Sequence, residues 1–130
     1  MVSLKLLILP LIPSLAAAWV HPGYVVSGAQ LDFVKAQVAA GASPWTDAFN
    51  AMLGDSDQYG GYASGTRTSE ATATVSCGPT STPDIGCTDE RGDALAAYAH
   101  ALAWWISGTE SYATYAIALM NKWSYVLEGV

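Results

Sequence analysis

Ala94-Leu95-Ala96-Ala97-Tyr98-Ala99-His100-Ala101-Leu102-Ala103-Trp104-Trp105-Ile106 runs for thirteen positions without one charged side chain. A helix apolar on every side is expected to be buried on every side. Thirteen residues fall short of the ~20 needed to cross a bilayer, so this helix should lie inside protein. Thr88 is placed to cap its start, and Asp89, Glu90 and Asp93 fall where the positive end of the helix dipole favours acids. Gly108 ends the run, which predicts a helix from about Thr88 to Ser107.

Downstream, Thr109 can cap a further helix. Tyr112, Tyr115, Ala116, Leu119, Met120 and Trp123 recur at i, i+3, i+4, i+7, i+8 and i+11, while Thr114, Asn121 and Lys122 fall off that stripe. The pattern predicts one buried and one wet face. An all-buried helix next to a half-buried one points to two concentric layers, a layout that needs more than four helices.

Upstream, Gly54 to Cys87 is a different kind of sequence: 34 residues with six Gly, five Ser, six Thr and two Pro. Structureless loops of this length are rare in compact domains and are usually functional or disordered. Within it, Thr72-Ala73-Thr74-Val75 could form a short strand. Before the loop, two more helices are expected. Pro22-Gly23 is turn chemistry, and Ser27 with Gln30 forms a capping-box pattern. Leu31, Val34 and Val38 then repeat at helical spacing until Gly41. Ser43-Pro44 predicts an N-cap with Pro at the first helical position, followed by the apolar face of Trp45, Ala48, Phe49 and Met52 and a stop at Gly54. Gly41-Ala42 is so short a link that the pair should be a helical hairpin. No fixed period relates the two pairs, which argues against a solenoid.

The first eighteen residues read as a secretory signal peptide. Lys5 supplies the positive start, Leu6 to Ile12 the apolar centre, and Ala16-Ala17-Ala18 the small residues before cleavage at Trp19. Pro10 and Pro13 interrupt the stretch, which argues against a membrane anchor. Removing eighteen residues from 130 leaves 112, with four Lys and Arg against eleven acids and a net charge of −7. The product is expected to be extracellular and free of the membrane. Cys77 and Cys87, ten positions apart, fit one structural disulfide in that compartment. Their spacing is not C-x-x-C, and neither His21 nor His100 is spaced with them as a metal ligand. No metal and no other cofactor are expected.

Across the whole chain, 52% of residues are hydrophobic and 12% charged, against about 25% charged in a typical soluble domain. Five Trp, seven Tyr and two Phe argue against intrinsic disorder. The net charge of −6, with no basic run, lacks the cationic footprint of nucleic-acid binders.

His21-Pro22-Gly23, Leu31 to Gly41 and Pro44-Trp45 resemble the start of the secreted alginate-lyase family of polysaccharide lyases. Cys77-Gly78-Pro79 through Cys87-Thr88-Asp89-Glu90-Arg91 is similar to its fungal members. The strongest likeness runs from Asp93-Ala94 to Trp123-Ser124, through Ala-Tyr-Ala, Leu-Ala-Trp-Trp, Ser-Gly-Thr-Glu-Ser-Tyr-Ala and Lys-Trp-Ser. It covers nearly all of residues 19–130 but only about the first third of the family domain. The resemblance implies an all-α fold, the N-terminal portion of an incomplete (α/α) toroid.

It also implies cleavage of uronate-containing polysaccharide by β-elimination. Polar groups neutralise the uronate carboxylate, a Tyr or His takes the C5 proton, and a Tyr protonates the leaving oxygen. The family's Asn-His pair and Arg/Tyr group lie further along the chain. No Asn-His pair occurs in these 130 residues, so no catalytic residue is assigned. The Gly54–Cys87 loop matches the position of a lid over the substrate groove. Its Tyr59, Tyr62 and Arg67 are the expected substrate-binding residues, by stacking on sugars and by a bidentate grip on a carboxylate. Residues 19–130 are too acidic for a broad cationic groove, so charge for the uronate must be very local or lie beyond Val130.

Two rival readings remain. One is a secreted noncatalytic helical module that binds carbohydrate or protein. The other is a toroid glycoside hydrolase, for which Asp89, Glu90 and Asp93 would be the carboxylates; the helix dipole accounts for the same residues without catalysis. Trp104 and Trp105 diverge by about 100° on a helix. One could face a groove, although core packing is the simpler expectation. His100 is expected to be a hydrogen-bonded core residue. A truncated toroid would leave the apolar helix short of partners, with self-association through the exposed face as the consequence.

Overall fold

Four helices, and no strand, form among the described residues of the computed structural model, which are 25–54, 69–79 and 83–128. They are α1 (Gly28–Ala39), α2 (Trp45–Gly54), α3 (Cys87–Ser107) and α4 (Glu110–Ser124). The predicted signal peptide lies outside the described residues, and so does the turn at Pro22-Gly23. No helix among the described residues is long and apolar enough to cross a membrane.

α1 begins on the predicted capping box. The Gln30 N–H donates to Ser27 Oγ at 3.3 Å, and the Ser27 N–H donates to Gln30 Oε1 at 2.8 Å. Both bonds satisfy groups that the first helical turn leaves without partners. Ser27→Ala should therefore cost about 1 kcal/mol, read as a lower urea midpoint with an unchanged slope.

α2 starts at Trp45, one residue later than predicted, and Pro44 precedes it. Ser43 does not cap it by accepting a backbone N–H; its hydroxyl donates to Asp47 Oδ2 at 2.5 Å. Phe33 of α1 meets Trp45 edge-to-face, with ring centroids 5.5 Å apart. No α2 residue is fully buried, so its apolar face is only half-covered.

α3 and α4 form the main packed unit, an antiparallel hairpin turned by Gly108 and Thr109. Gly108 is left-handed (φ 73°) and its N–H donates to Trp104 O at 2.7 Å. Thr109 occupies the N-cap position of α4 without a side-chain cap bond. The buried face of α3 is Gly92, Asp93, Ala96, Ala97, His100 and Ala103. Most of these are small, which lets the α4 backbone approach closely and seats Ala116 and Leu119 against it.

The all-round burial expected of α3 is not what forms. Leu95, Tyr98 and Trp104 are exposed, because among the described residues α3 is covered chiefly by α4, with α1 and α2 adding little. Absence of charge permits burial but supplies no neighbour to produce it. Met120, expected on the buried stripe of α4, is likewise 66% exposed.

The segment before α3 folds back on itself without a strand at Thr72–Val75. Instead, an isolated antiparallel bridge pairs Ser76 with Ile85, through bonds of 2.9 and 3.3 Å. The predicted disulfide Cys77–Cys87 closes the same fold. Thr88 does not cap α3. Asp84 does so from outside the helix, accepting from the Cys87 N–H at 3.0 Å and from the Thr88 hydroxyl at 3.1 Å.

Gly86, at the α3 N-cap, is left-handed (φ 69°), and a Cβ there would collide with Thr72 Oγ1. Gly86→Ala should cost about 1–2 kcal/mol from the backbone alone, with the collision adding to it. Thermal unfolding would show it, and an unchanged midpoint would contradict this packing.

Candidate functional site

A polar cluster lies where the start of α3 faces the end of α4. Asp93, in the second turn of α3, is 1% exposed. Its carboxylate accepts from Ser69 Oγ at 2.6 Å to each oxygen, and from Trp123 Nε1 at 2.8 Å to Oδ2. Lys122 Nζ forms an ion pair with Oδ2 at 2.8 Å and also donates to Ser69 O at 2.8 Å and Ser69 Oγ at 3.0 Å. A buried carboxylate without such partners would be prohibitively costly. Here a cation and two neutral donors converge on it, so its lone pairs are directed at protein groups.

The chemistry available to this cluster is structural. It clips the 69–79 segment to the hairpin, reinforced by the Glu128 N–H donating to Ala73 O at 2.7 Å. Beside it opens a cleft of about 210 Å³, walled by Ala97, Leu119, Met120, Trp123 and Leu127, with Glu90 also lining it. Asp89 and Glu90 sit in the first turn of α3, as the dipole argument expects. Asp93 belongs with the buried face instead. The dipole reading missed it, although it stands in phase with Ala96, Ala97, His100 and Ala103. A carboxylate in register with a small-residue stripe was the available signal. Lys122, assigned to the wet face of α4, reaches back to this carboxylate through its flexible stem.

His100 is a core residue. It is buried, its Nδ1 donates to Ala96 O at 2.8 Å, and its ring lies 4.4 Å from Tyr115 and 5.8 Å from Tyr112. Trp104 and Trp105 stand edge-to-face, with centroids 6.2 Å apart and planes at 85°. Trp104 is 39% exposed, which corrects the expectation that this pair packs wholly in the core. The Trp105 Nε1 is shielded from solvent and has no acceptor among the described residues. Tyr59, Tyr62 and Arg67 lie outside the described residues. Among the described residues no group of three or more His, Cys, Asp or Glu is arranged to hold a metal ion.

No family model matches the chain, and no curated protein or solved structure is significantly similar to it.

Proposed function

We propose that this chain is the N-terminal helical portion of a secreted polysaccharide lyase acting on uronate-containing chains of the alginate or glucuronan kind. The observation that carries this reading is where the resembling residues fall. The stretch of strongest likeness, Asp93 to Ser124, coincides with the packed α3–α4 hairpin, and its two ends are joined by the Trp123–Asp93 hydrogen bond. The Cys77–Cys87 disulfide is consistent with secretion.

In β-elimination the C5 proton leaves to a base, its electron pair forms the C4–C5 double bond, and the C4–O bond breaks as the oxygen takes a proton. Among the described residues no Tyr or His is arranged for those transfers. His100 is enclosed between two tyrosines, and Asp93 is held by Ser69, Lys122 and Trp123. In this reading the described residues contribute saccharide binding and scaffold, and the proton transfers fall to residues other than these.

The same observation favours a second reading, a noncatalytic helical module that binds saccharide. Native electrophoresis through gels holding alginate, glucuronan or a neutral glucan tests both. Retardation by a polyuronate, without growth of the ultraviolet absorbance of unsaturated uronate, is the expected result. Retardation by the neutral glucan alone would sink the polyuronate reading. Absorbance growth would overturn the reading of this chain as inactive on its own. Coding sequence beyond Val130 separates the two readings, since Asn-His and Arg/Tyr motifs there belong to a lyase and a stop codon to a module.

A further inference from the structure

A second cleft, of about 240 Å³, opens between α1 and the C-terminal end of α3. It is lined by Asp32, Lys35, Trp104, Trp105 and Gly108. Asp32 and Lys35 are exposed and three residues apart, which places them on one face of α1. Neither has an ion-pair partner among the described residues. Gly108 adds no side chain, and the space where its Cβ would stand is open.

Four properties of this cleft point the same way. The Trp104 indole is exposed where a core residue would be covered. Trp105 stands perpendicular to it, giving a flat face with an upright wall. A carboxylate and an ammonium from α1, neither ion-paired among the described residues, also line it. The volume falls below the ~300–1,000 Å³ of pockets for drug-sized ligands, so it suits one ring. A pyranose matches this set. Its C–H face is apolar and lies flat on an aromatic plane, and the hydroxyls on its edge donate to carboxylates and accept from ammonium groups.

We propose that this cleft binds one pyranose unit of a saccharide chain. The sugar's C–H face stacks on Trp104, its hydroxyls bond to Asp32, and Lys35 takes hydroxyls or a ring carboxylate. This rests on the saccharide-binding half of the function proposed above and is independent of the elimination chemistry.

The test titrates the full chain with tetraglucuronate and, separately, with cellotetraose, following tryptophan fluorescence and heat. At least one should bind, and Trp104→Ala should weaken that binding about tenfold or more. Trp104→Phe, which keeps a flat ring, should retain part of the affinity. Asp32→Asn and Lys35→Gln lie on an exposed helix face and should leave the melting temperature unchanged. Each should weaken binding roughly threefold. If Trp104→Ala fails to fold, the Trp104→Phe, Asp32→Asn and Lys35→Gln variants decide.

No binding of either saccharide overturns the proposal. So does binding that is indifferent to all of these substitutions; if the ligand bound is tetraglucuronate, the uronate reading survives while this cleft falls. Cellotetraose binding that depends on Trp104, with no tetraglucuronate binding, keeps the cleft and removes the uronate reading.

Discussion

Asp93→Ala should lower the unfolding free energy by about 2–4 kcal/mol and the melting temperature by roughly 10–20 °C. Removing one partner of a buried ion pair typically costs ~3–5 kcal/mol. Lys122 retains 29% exposure and can return to water, so the expected loss is at the lower end. Trp123 Nε1 and Ser69 Oγ lose the acceptor they share, and neither is fully exposed. Lys122→Ala should cost at least as much, because it leaves the buried carboxylate without its counter-charge, held only by the neutral donors Ser69 and Trp123. The double variant should lose less than the sum of the singles, giving a coupling of at least about 0.5 kcal/mol. Urea unfolding of the four proteins measures this. A loss below about 0.5 kcal/mol for Asp93→Ala would mean that the cluster is not holding the fold together.

Opening the Cys77–Cys87 crosslink is expected to cost roughly 2–3 kcal/mol, the chain-entropy value for a loop of this size. The same fold-back is held by the Ser76–Ile85 bridge and by Asp84 capping Cys87, and these two contacts weaken with it. Cys77→Ser/Cys87→Ser should therefore unfold at a lower urea concentration than the parent. A reductant should bring the parent to the same midpoint and leave the double variant where it is. Coincident midpoints for the oxidised parent and the variant would show that the loop is closed equally well without the bond.

What could be read from the sequence was what depends on neighbours within four residues. Ser27 with Gln30 and the breaks at Gly41 and Gly108 match the observed elements, because capping and chain reversal are local physics, and the cysteine pair, ten positions apart, needs only a short loop to close. Thr88 and Ser43 were assigned caps by residue type, but the oxygen that caps α3 belongs to Asp84, outside the helix. Asp93 was misread because its partners are distant in sequence: Ser69 by 24 positions and Trp123 by 30. The burial of α3 was overestimated for a related reason. Leu95 and Tyr98 are as apolar as a core residue, but burial depends on which helices arrive, and that is not written in α3.

Sequence distance also sets the order in which these contacts can form. α3 and α4 are joined by two residues, so their interface needs only a short loop closure. The clip from Lys122 to Ser69 spans 53 positions, so on loop-closure grounds it is expected to form after the hairpin. The hairpin is thus expected to form first, with the 69–79 segment docking onto it later. The last contacts made are the first that can be released without melting the hairpin. Partial opening of this protein should begin at Ser69 and at the Ala73–Glu128 bond, leaving α3 and α4 paired.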